Sequence, residues 1–444
     1  MKNKFKALMA LSLAGLLASC GGKSNENGAE EASSPDPSQV SGTLSVQVEE
    51  DWLDHYEKAA ARVKEKYPDA EIEFKTVSSF DHLDIIDATD ASNEDVADLF
   101  AIPADRLYGL VGNDVLGALD SKTLAEEIGG WDDFDAGIGG NFNIDGEYFA
   151  FPYNIETLIT YVNTANAEAN GVNKDEPIEI GAEGKDAATV LFPIFDAWYG
   201  VAATNSSGIE LLGMKEDGSL YSDFTKEWSE LEDEKKATVK AMYDYWKQHN
   251  DAGSELFDPD AGWGYIDKEF TTGNKGVARL GGAWDAASIS EQAGEGNLEI
   301  FPIDHLTIAG KPLNHWQGGW GLAINARIEG DANKEAIANE MIKEIVNPEY
   351  ALDLYKATGK VLENVKNETY QESDLPDSDK AIIDATIKSY ENAPARPLFK
   401  EWGSVWDSYK NAILSWNSVK PASEEDAYNE LKASFDAMMA NFNN

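Results

Sequence analysis

Residues 151–163 read FPYNIETLITYVN, and their pattern decides how the rest of the chain is organised. The stretch follows Asp145-Gly146, which lies between the apolar runs Phe142–Ile144 and Tyr148–Phe151. Asp-Gly supplies the positive φ angles of a two-residue hairpin turn. From Ile155 to Val162 both faces of a period-2 strand carry apolar or β-branched residues: Ile155, Thr157, Ile159 and Tyr161 on one, Leu158 and Val162 on the other. Such a strand is covered on both sides. Glu156 is its one ionisable group, and a carboxylate inside a covered strand needs a partner. Either Glu156 sits exposed at a strand end, or the strand passes between two lobes and Glu156 faces the cleft between them.

Lys2, Lys4 and Lys6 precede the apolar run Ala7–Leu17, which ends in Leu17-Ala18-Ser19-Cys20. A basic start, a short apolar core and small residues before a cut make residues 1–19 a secretory signal. The run is too short to span a bilayer as a mature helix. The cut site resembles a bacterial lipobox, which makes Cys20 the lipidated first residue of the mature chain. Cys20 is the only cysteine, so the folded body has no disulfide or thiol chemistry. Residues 20–42, rich in Gly, Ser, Asn, Glu and Pro, read as a flexible tether. Residues 43–444 remain, enough for two sizeable lobes at roughly 100–200 residues per domain. The net charge of −45 repels nucleic acid and anionic membrane and disfavours a phosphate ligand.

In chain order, Leu44–Val48 alternates as a strand, with Glu49–Trp52 at its carboxyl end. Leu53, Tyr56, Ala60, Val63 and Tyr67 recur at helical spacing until Pro68, and Glu71–Val77 alternates again. Strand–helix–strand implies an α/β fold with parallel sheets, in which ligands sit beyond the carboxyl ends of strands. A further strand, 96–102, ends before Pro103-Ala104-Asp105-Arg106, where Asp105 and Arg106 either cap and pair on a helix or meet a ligand. The spacing predicts Pro193 in the first turn of a helix, a long helix over 227–249, strands over 276–280 and 298–303, and a Gly-Gly bend around which Trp316 and Trp320 stand before the strand 322–324. Trp402, Trp406, Tyr409, Ile413 and Trp416 follow helical spacing. A final helix opens at Ser423 with Asp426 as its capping box.

Motifs for catalysis are missing. The five histidines show no paired metal-ligand spacing, and there is no G-x-S-x-G, phosphate-binding glycine–lysine loop or G-x-G-x-x-G. With 81 acidic residues, a carboxylate pair for glycoside hydrolysis can be nominated by choice alone and carries no weight. No cofactor or metal is expected. What stands out is tryptophan beside turns: Trp52, Trp284, Trp316 and Trp320, among twelve in all. Flat aromatic faces stack on sugar rings while Asp, Glu, Arg and Asn bond the hydroxyls. The alternative is that the indoles fill gaps in a two-lobed core.

A lipobox, a tether and two α/β lobes crossed by a central strand resemble the family 1 extracellular solute-binding lipoproteins of bacterial ABC importers, and within them the maltodextrin-binding members. The resemblance runs unevenly over most of 43–440. In LSVQVEEDWLDHY, Asp51 stands at a hydroxyl-binding aspartate, and Trp52 replaces a lysine. DLFAIPADRLYGLV keeps the family's Asp-Arg pair as Asp105 and Arg106, while Ile102 replaces a tryptophan. In DGEYFAFPYNIETLITYVN, Glu156 matches a sugar-binding glutamate. LFPIFDAW resembles a stacking segment, with Ile194 at the nearest match, so that Phe195 or Trp198 would have to serve. FTTGNKGVARLGGAW places Trp284, and SVWDSYKNAI places Trp406, at stacking positions.

The resemblance implies a two-lobed periplasmic-binding-protein-like fold, with discontinuous lobes around mainly parallel sheets joined by a hinge. The N-terminal lobe would be 43–155 plus 307–362 and the C-terminal lobe 160–302 plus 366–444, crossed near 155–160, 302–307 and 360–366. It implies a lipid-anchored, extracytoplasmic, monomeric binding protein that takes a carbohydrate, most of all maltose or a malto-oligosaccharide, and delivers it to ABC permease subunits and their ATPase without catalysing a reaction. Asp51, Asp105, Arg106 and Glu156 would bond hydroxyls. Trp52, Phe195, Trp284, Trp316, Trp320 and Trp406 would stack. The rebuilt positions leave other oligosaccharides open. Acidic residues among aromatics also suit a polyamine, against which Arg106 argues, and a surface glycoside hydrolase is the remaining alternative.

Overall fold

The computed structural model describes residues 36–442 except Glu216. Residues 1–19, read above as a secretory signal, and Cys20 lie outside the described residues.

Two sheets organise the chain. The first contains β1 (Ser41–Val48), β2 (Asp69–Thr76), β3 (Leu99–Pro103) and β4 (Phe151–Glu156). The second contains β5 (Ile159–Asn163), β6 (Val190–Leu191), β7 (Ala278–Gly281) and β8 (Leu298–Pro302). The chain then returns to the first sheet as β9 (Gly318–Ile324). The orders are β2-β1-β3-β9-β4 and β8-β5-β7-β6. In each sheet one strand opposes its neighbours. β9 is antiparallel to β3 and β4, and β5 is antiparallel to β7 and β8. These are the strands by which the chain enters a sheet from the other one. It arrives at the end where the carboxyl termini of the resident strands lie, and so runs against them.

The stretch 151–163 is therefore two strands rather than one, broken at Thr157-Leu158. Ile155 packs in a core with Leu44, Val46, Leu99 and Leu322, and Leu158 packs in another with Tyr161, Leu191 and Leu280. The passage between sheets is complete within three residues. The hairpin before it forms as expected, with Asp145 and Gly146 at φ 55° and 95° between paired Asn143–Ile144 and Glu147–Tyr148.

The first sheet is covered on both faces, and the polar positions of β1, Ser45 and Gln47, are buried with the apolar ones. Leu99 and Ala101 face one core, Phe100 and Ile102 another that contains Phe142 and Ala323. Leu306, Ile308, Leu313 and Trp316 stay with the core of the second sheet, and the helix Asp377–Glu391 touches both cores through Ile382 and Ile383.

Several local expectations change. β1 begins at Ser41 and Val40 is buried, so ordered chain reaches into the segment read as tether. Pro193 lies before its helix, which starts at Ala197 with Asp196 as the cap. The long helix is Asp233–Ala252, preceded by a separate turn at Trp228–Glu230. Gly318-Gly319 is not a bend; both residues lie inside β9. A Cβ on Gly319 would stand 2.3 Å from the Asn154 carbonyl oxygen, so only glycine lets β9 and β4 approach. The terminal helix starts as read, with the Ser423 hydroxyl accepting from Asp426 N at 3.1 Å.

Candidate functional site

The carboxyl ends of β1, β3 and β4 and the start of β9 meet at one edge of the first sheet, where the chain passes to the second. This edge carries two aromatic clusters, each built around a cation.

In the first cluster the Lys360 ammonium lies 4.7 Å from the ring centre of Trp52, 5.0 Å from Tyr153 and 5.3 Å from Trp320. Lys360 follows Gly359, whose φ of 68° ends the helix Ala351–Thr358, and the next residue, Val361, accepts from Ile155 N at 3.0 Å. The rings are fixed by their own partners. Trp52 stacks on Tyr56, and the Tyr56 hydroxyl bonds that of Tyr153 at 3.1 Å. Trp320 donates to Glu156 Oε2 at 3.0 Å and meets the exposed Phe80 edge-on at 5.2 Å.

In the second cluster Arg396, buried, has its guanidinium 4.9 Å from the Trp198 ring centre, 5.4 Å from Trp316 and 5.9 Å from Trp406. Trp402 meets Trp316 and Trp406 edge-on at 4.9 and 5.0 Å. Arg396 is paired at 3.1 Å with Asp105, which lies just past β3. The pair thus ties the edge of the first sheet to rings that pack on the core of the second.

Glu156 stands between the clusters. Burial pushes its carboxyl above the ordinary range, with Asp105 adding to that, against the opposing pull of Lys360, Arg396 and the Trp320 N–H. Burial lowers the Lys360 ammonium to about 8, despite Glu156 and Glu49. Glu49 is already bonded to Ser79 N and Oγ, at 3.1 and 2.8 Å. On the side of the second sheet, the Tyr199 hydroxyl bonds Asp285, and Trp284 is 51% exposed with its ring folded over Gly282.

The structure thus brings Trp52, Trp320 and Glu156 together on one side, and Trp316, Trp406 and Asp105 on the other. Asp51 is exposed beside Trp52. Arg106 is paired with Asp87 on the helix Ser79–Ala88 rather than with a group of either cluster. Phe195 is buried against Trp263 at 5.7 Å, and Trp198 occupies the aromatic position instead. Lys360, Arg396, Tyr153 and Tyr199 were not foreseen. Lys360 follows an ordinary helix stop, and only the two prolines around Arg396, in Pro394-Ala395-Arg396-Pro397, set that segment apart. A concavity of about 800 Å³ lined by Asp120, Lys122, Asp135 and Tyr148 shares no residue with either cluster. Among the described residues no group of His, Cys, Asp and Glu is placed to hold a metal, and no helix is long and apolar enough to cross a membrane.

Two α/β lobes joined by crossing strands, with ring-lined polar groups at the junction, define a two-lobed binding protein of the periplasmic-binding-protein-like class. The model of the bacterial extracellular solute-binding protein family matches residues 58–381, and the chain belongs to that family. The fold is shared with the maltose-binding periplasmic protein MalE of Listeria monocytogenes, solved with maltose, at 19% identity and a TM-score of 0.68 over 89% of this chain and 97% of that one. It is also shared with MalX of Streptococcus pneumoniae, solved with maltopentaose, at 20% identity and a TM-score of 0.64 over 89% and 99%. A cyclo/maltodextrin-binding protein complexed with maltotetraose gives 18% identity and 0.65 over 92% and 98%. Among curated protein sequences, none matches the chain significantly.

Proposed function

We propose that the chain is the solute-binding component of a bacterial ABC importer and that it closes on a neutral oligosaccharide, most of all maltose or a malto-oligosaccharide. The observation that carries this reading is the pairing of aromatic clusters with balanced charge. Sugars need ring faces and in-plane donors and acceptors without a net charge to neutralise. Here Arg396 is matched by Asp105, and the charge of Lys360 is opposed by that of Glu156 without a direct ion pair. A polyamine would need unspent carboxylates and rings free of cations, and both sets of rings already hold one. The solved proteins of the same fold that carry maltose, maltopentaose and maltotetraose favour an α-glucan.

In this reading the lobes are 43–155 plus 318–362 and 158–316 plus 393–444, with residues 366–391 packing on both cores. The middle boundary falls after Trp316 because residues 306–316 pack with the second core. Trp52, Trp198, Trp284, Trp316, Trp320 and Trp406 offer faces, and Asp51, Asp105 and Glu156 offer acceptors. Ligand contacts from both lobes stabilise closure, and no reaction is catalysed. The protein works as a monomer, held to the membrane by lipid on Cys20, and hands its ligand to permease subunits.

Tryptophan fluorescence during titration with maltotriose, xylo-oligosaccharide and spermidine tests this. A saturable change with maltotriose, lost in Trp284→Ala, is the expected result. A response to spermidine alone overturns the neutral-ligand reading, and release of shorter products from maltotriose overturns the absence of catalysis.

A further inference from the structure

The Lys360 ammonium has three donors, and among the described residues it makes no hydrogen bond or ion pair. It lies against the faces of Trp52, Tyr153 and Trp320 and feels the charges of Glu156 and Glu49 without pairing with either. Glu49 is engaged by Ser79, and Glu156 accepts from Trp320. An ammonium held by three ring faces is oriented by cation–π attraction, yet keeps its hydrogen-bonding capacity for something else. The rings are fixed by Tyr56, Glu156 and Phe80, so the cage is built before any ligand arrives.

We propose that Lys360 is a specificity-determining residue, a tethered cation that fills the three-ring cage, so excluding free ammonium ligands, and turns its N–H groups on acceptor oxygens of a neutral polyhydroxy ligand. This rests on the reading of the site as a sugar site and names the group that selects against cations there. Lys360 also sits on the chain segment between the helix Ala351–Thr358 and Val361, which is bonded to β4. Both anchors belong to the first lobe, so the first lobe alone places Lys360 and its ring cage.

The test uses the full mature chain as wild type, Lys360→Ala and Lys360→Met, with tryptophan fluorescence as the readout. Lys360→Ala is expected to weaken maltotriose binding about tenfold or more, the loss of a hydrogen bond from a charged donor. Added n-propylammonium chloride should restore much of it by entering the emptied cage, whereas sodium chloride at the same concentration should not. Lys360→Met keeps an apolar stem between the rings and should bind weakly with no rescue. Wild-type affinity in either variant, or equal rescue by both salts, overturns the proposal. If the alanine variant does not fold, the methionine variant decides: folded with weakened binding supports the proposal, and folded with wild-type affinity overturns it. If the wild type itself ignores maltotriose, the α-glucan reading fails separately. The cage is then judged by n-propylammonium alone: a saturable fluorescence change in Lys360→Ala but not in wild type supports it, and no change in the variant overturns it.

Discussion

The Asp105–Arg396 pair allows a quantitative test of how the two halves hold together. At 3.1 Å and an effective dielectric constant of about 20, two unit charges attract by about 5 kcal/mol. The Asp105 side chain is 31% exposed, so solvent screens the pair, and desolvating the guanidinium offsets much of the rest. Asp105→Asn should therefore cost about 2 kcal/mol, mainly because it leaves a buried cation without its paired carboxylate. Arg396→Met removes that cation and its desolvation cost while an apolar chain of similar length still packs against Trp198, Trp316 and Trp406. Its stability should stay within about 1 kcal/mol of wild type. In the Arg396→Met background, Asp105→Asn should then cost less than about 0.5 kcal/mol, for a coupling of about 1.5 kcal/mol or more. Urea unfolding of the four proteins at fixed pH and salt measures the cycle. If Asp105→Asn costs the same with and without Arg396, the carboxylate is not there to neutralise the guanidinium, and the argument fails.

Glu156→Gln should raise stability at neutral pH while weakening ligand binding. The folded-state pKa of Glu156 is raised, so between its ordinary value and the raised one the native state binds more protons than the unfolded chain, and stability falls as pH climbs through that window. The variant lacks this fall, and urea unfolding at pH 4 and pH 7 should show the difference growing in its favour. His82 behaves oppositely. It is buried, accepts from Ala97 N at 3.0 Å, and has its pKa lowered to about 4. Between about 4 and 6.5 the unfolded state holds the extra proton, so stability is lost on acidification, by about 3 kcal/mol relative to His82→Gln; parallel acid limbs for the two proteins would refute this. Gly319→Ala should lose about 3 kcal/mol, because its Cβ meets a backbone oxygen that cannot move alone. Adding Ile138→Ala, which clears the other contact, should leave most of that loss in place, as a melting-temperature comparison would show.

The sequence showed where the strands are more readily than where they stop. Alternation at Leu44–Val48 and apolar continuity at 151–163 both identified sheet strands, although alternation did not show that β1 is covered on two faces, with Ser45 and Gln47 buried. The break at Thr157-Leu158 left no such trace, because two covered strands joined end to end look like one. The Gly-Gly at 318–319 was misread as a bend for a related reason. Glycine permits both positive φ and close approach, and only the neighbouring strand shows which one is used. At the site, Glu156 and the turn-side tryptophans were legible as a polar group where none is expected and as large rings at strand ends. Lys360 and Arg396 were not. Their roles come from rings contributed by residues as much as 308 positions away, as between Lys360 and Trp52, and no local spacing encodes such a meeting.

The late arrival of β9 sets the order in which the molecule can be made. β4 has its ladder only with β9, and β3 lies between β1 and β9. When Glu156 leaves the ribosome, about 160 residues remain before Gly318. At about 5–20 residues per second that is roughly 8–30 s. During this interval the first sheet is split, with two apolar strand edges unpaired. The second core receives most of its strands inside the same interval. The second core in turn waits for the helices Ser404–Val419 and Glu424–Phe442, so neither half is complete at that point, and a chain stalled short of residue 318 exposes open, sticky sheet edges rather than a finished lobe.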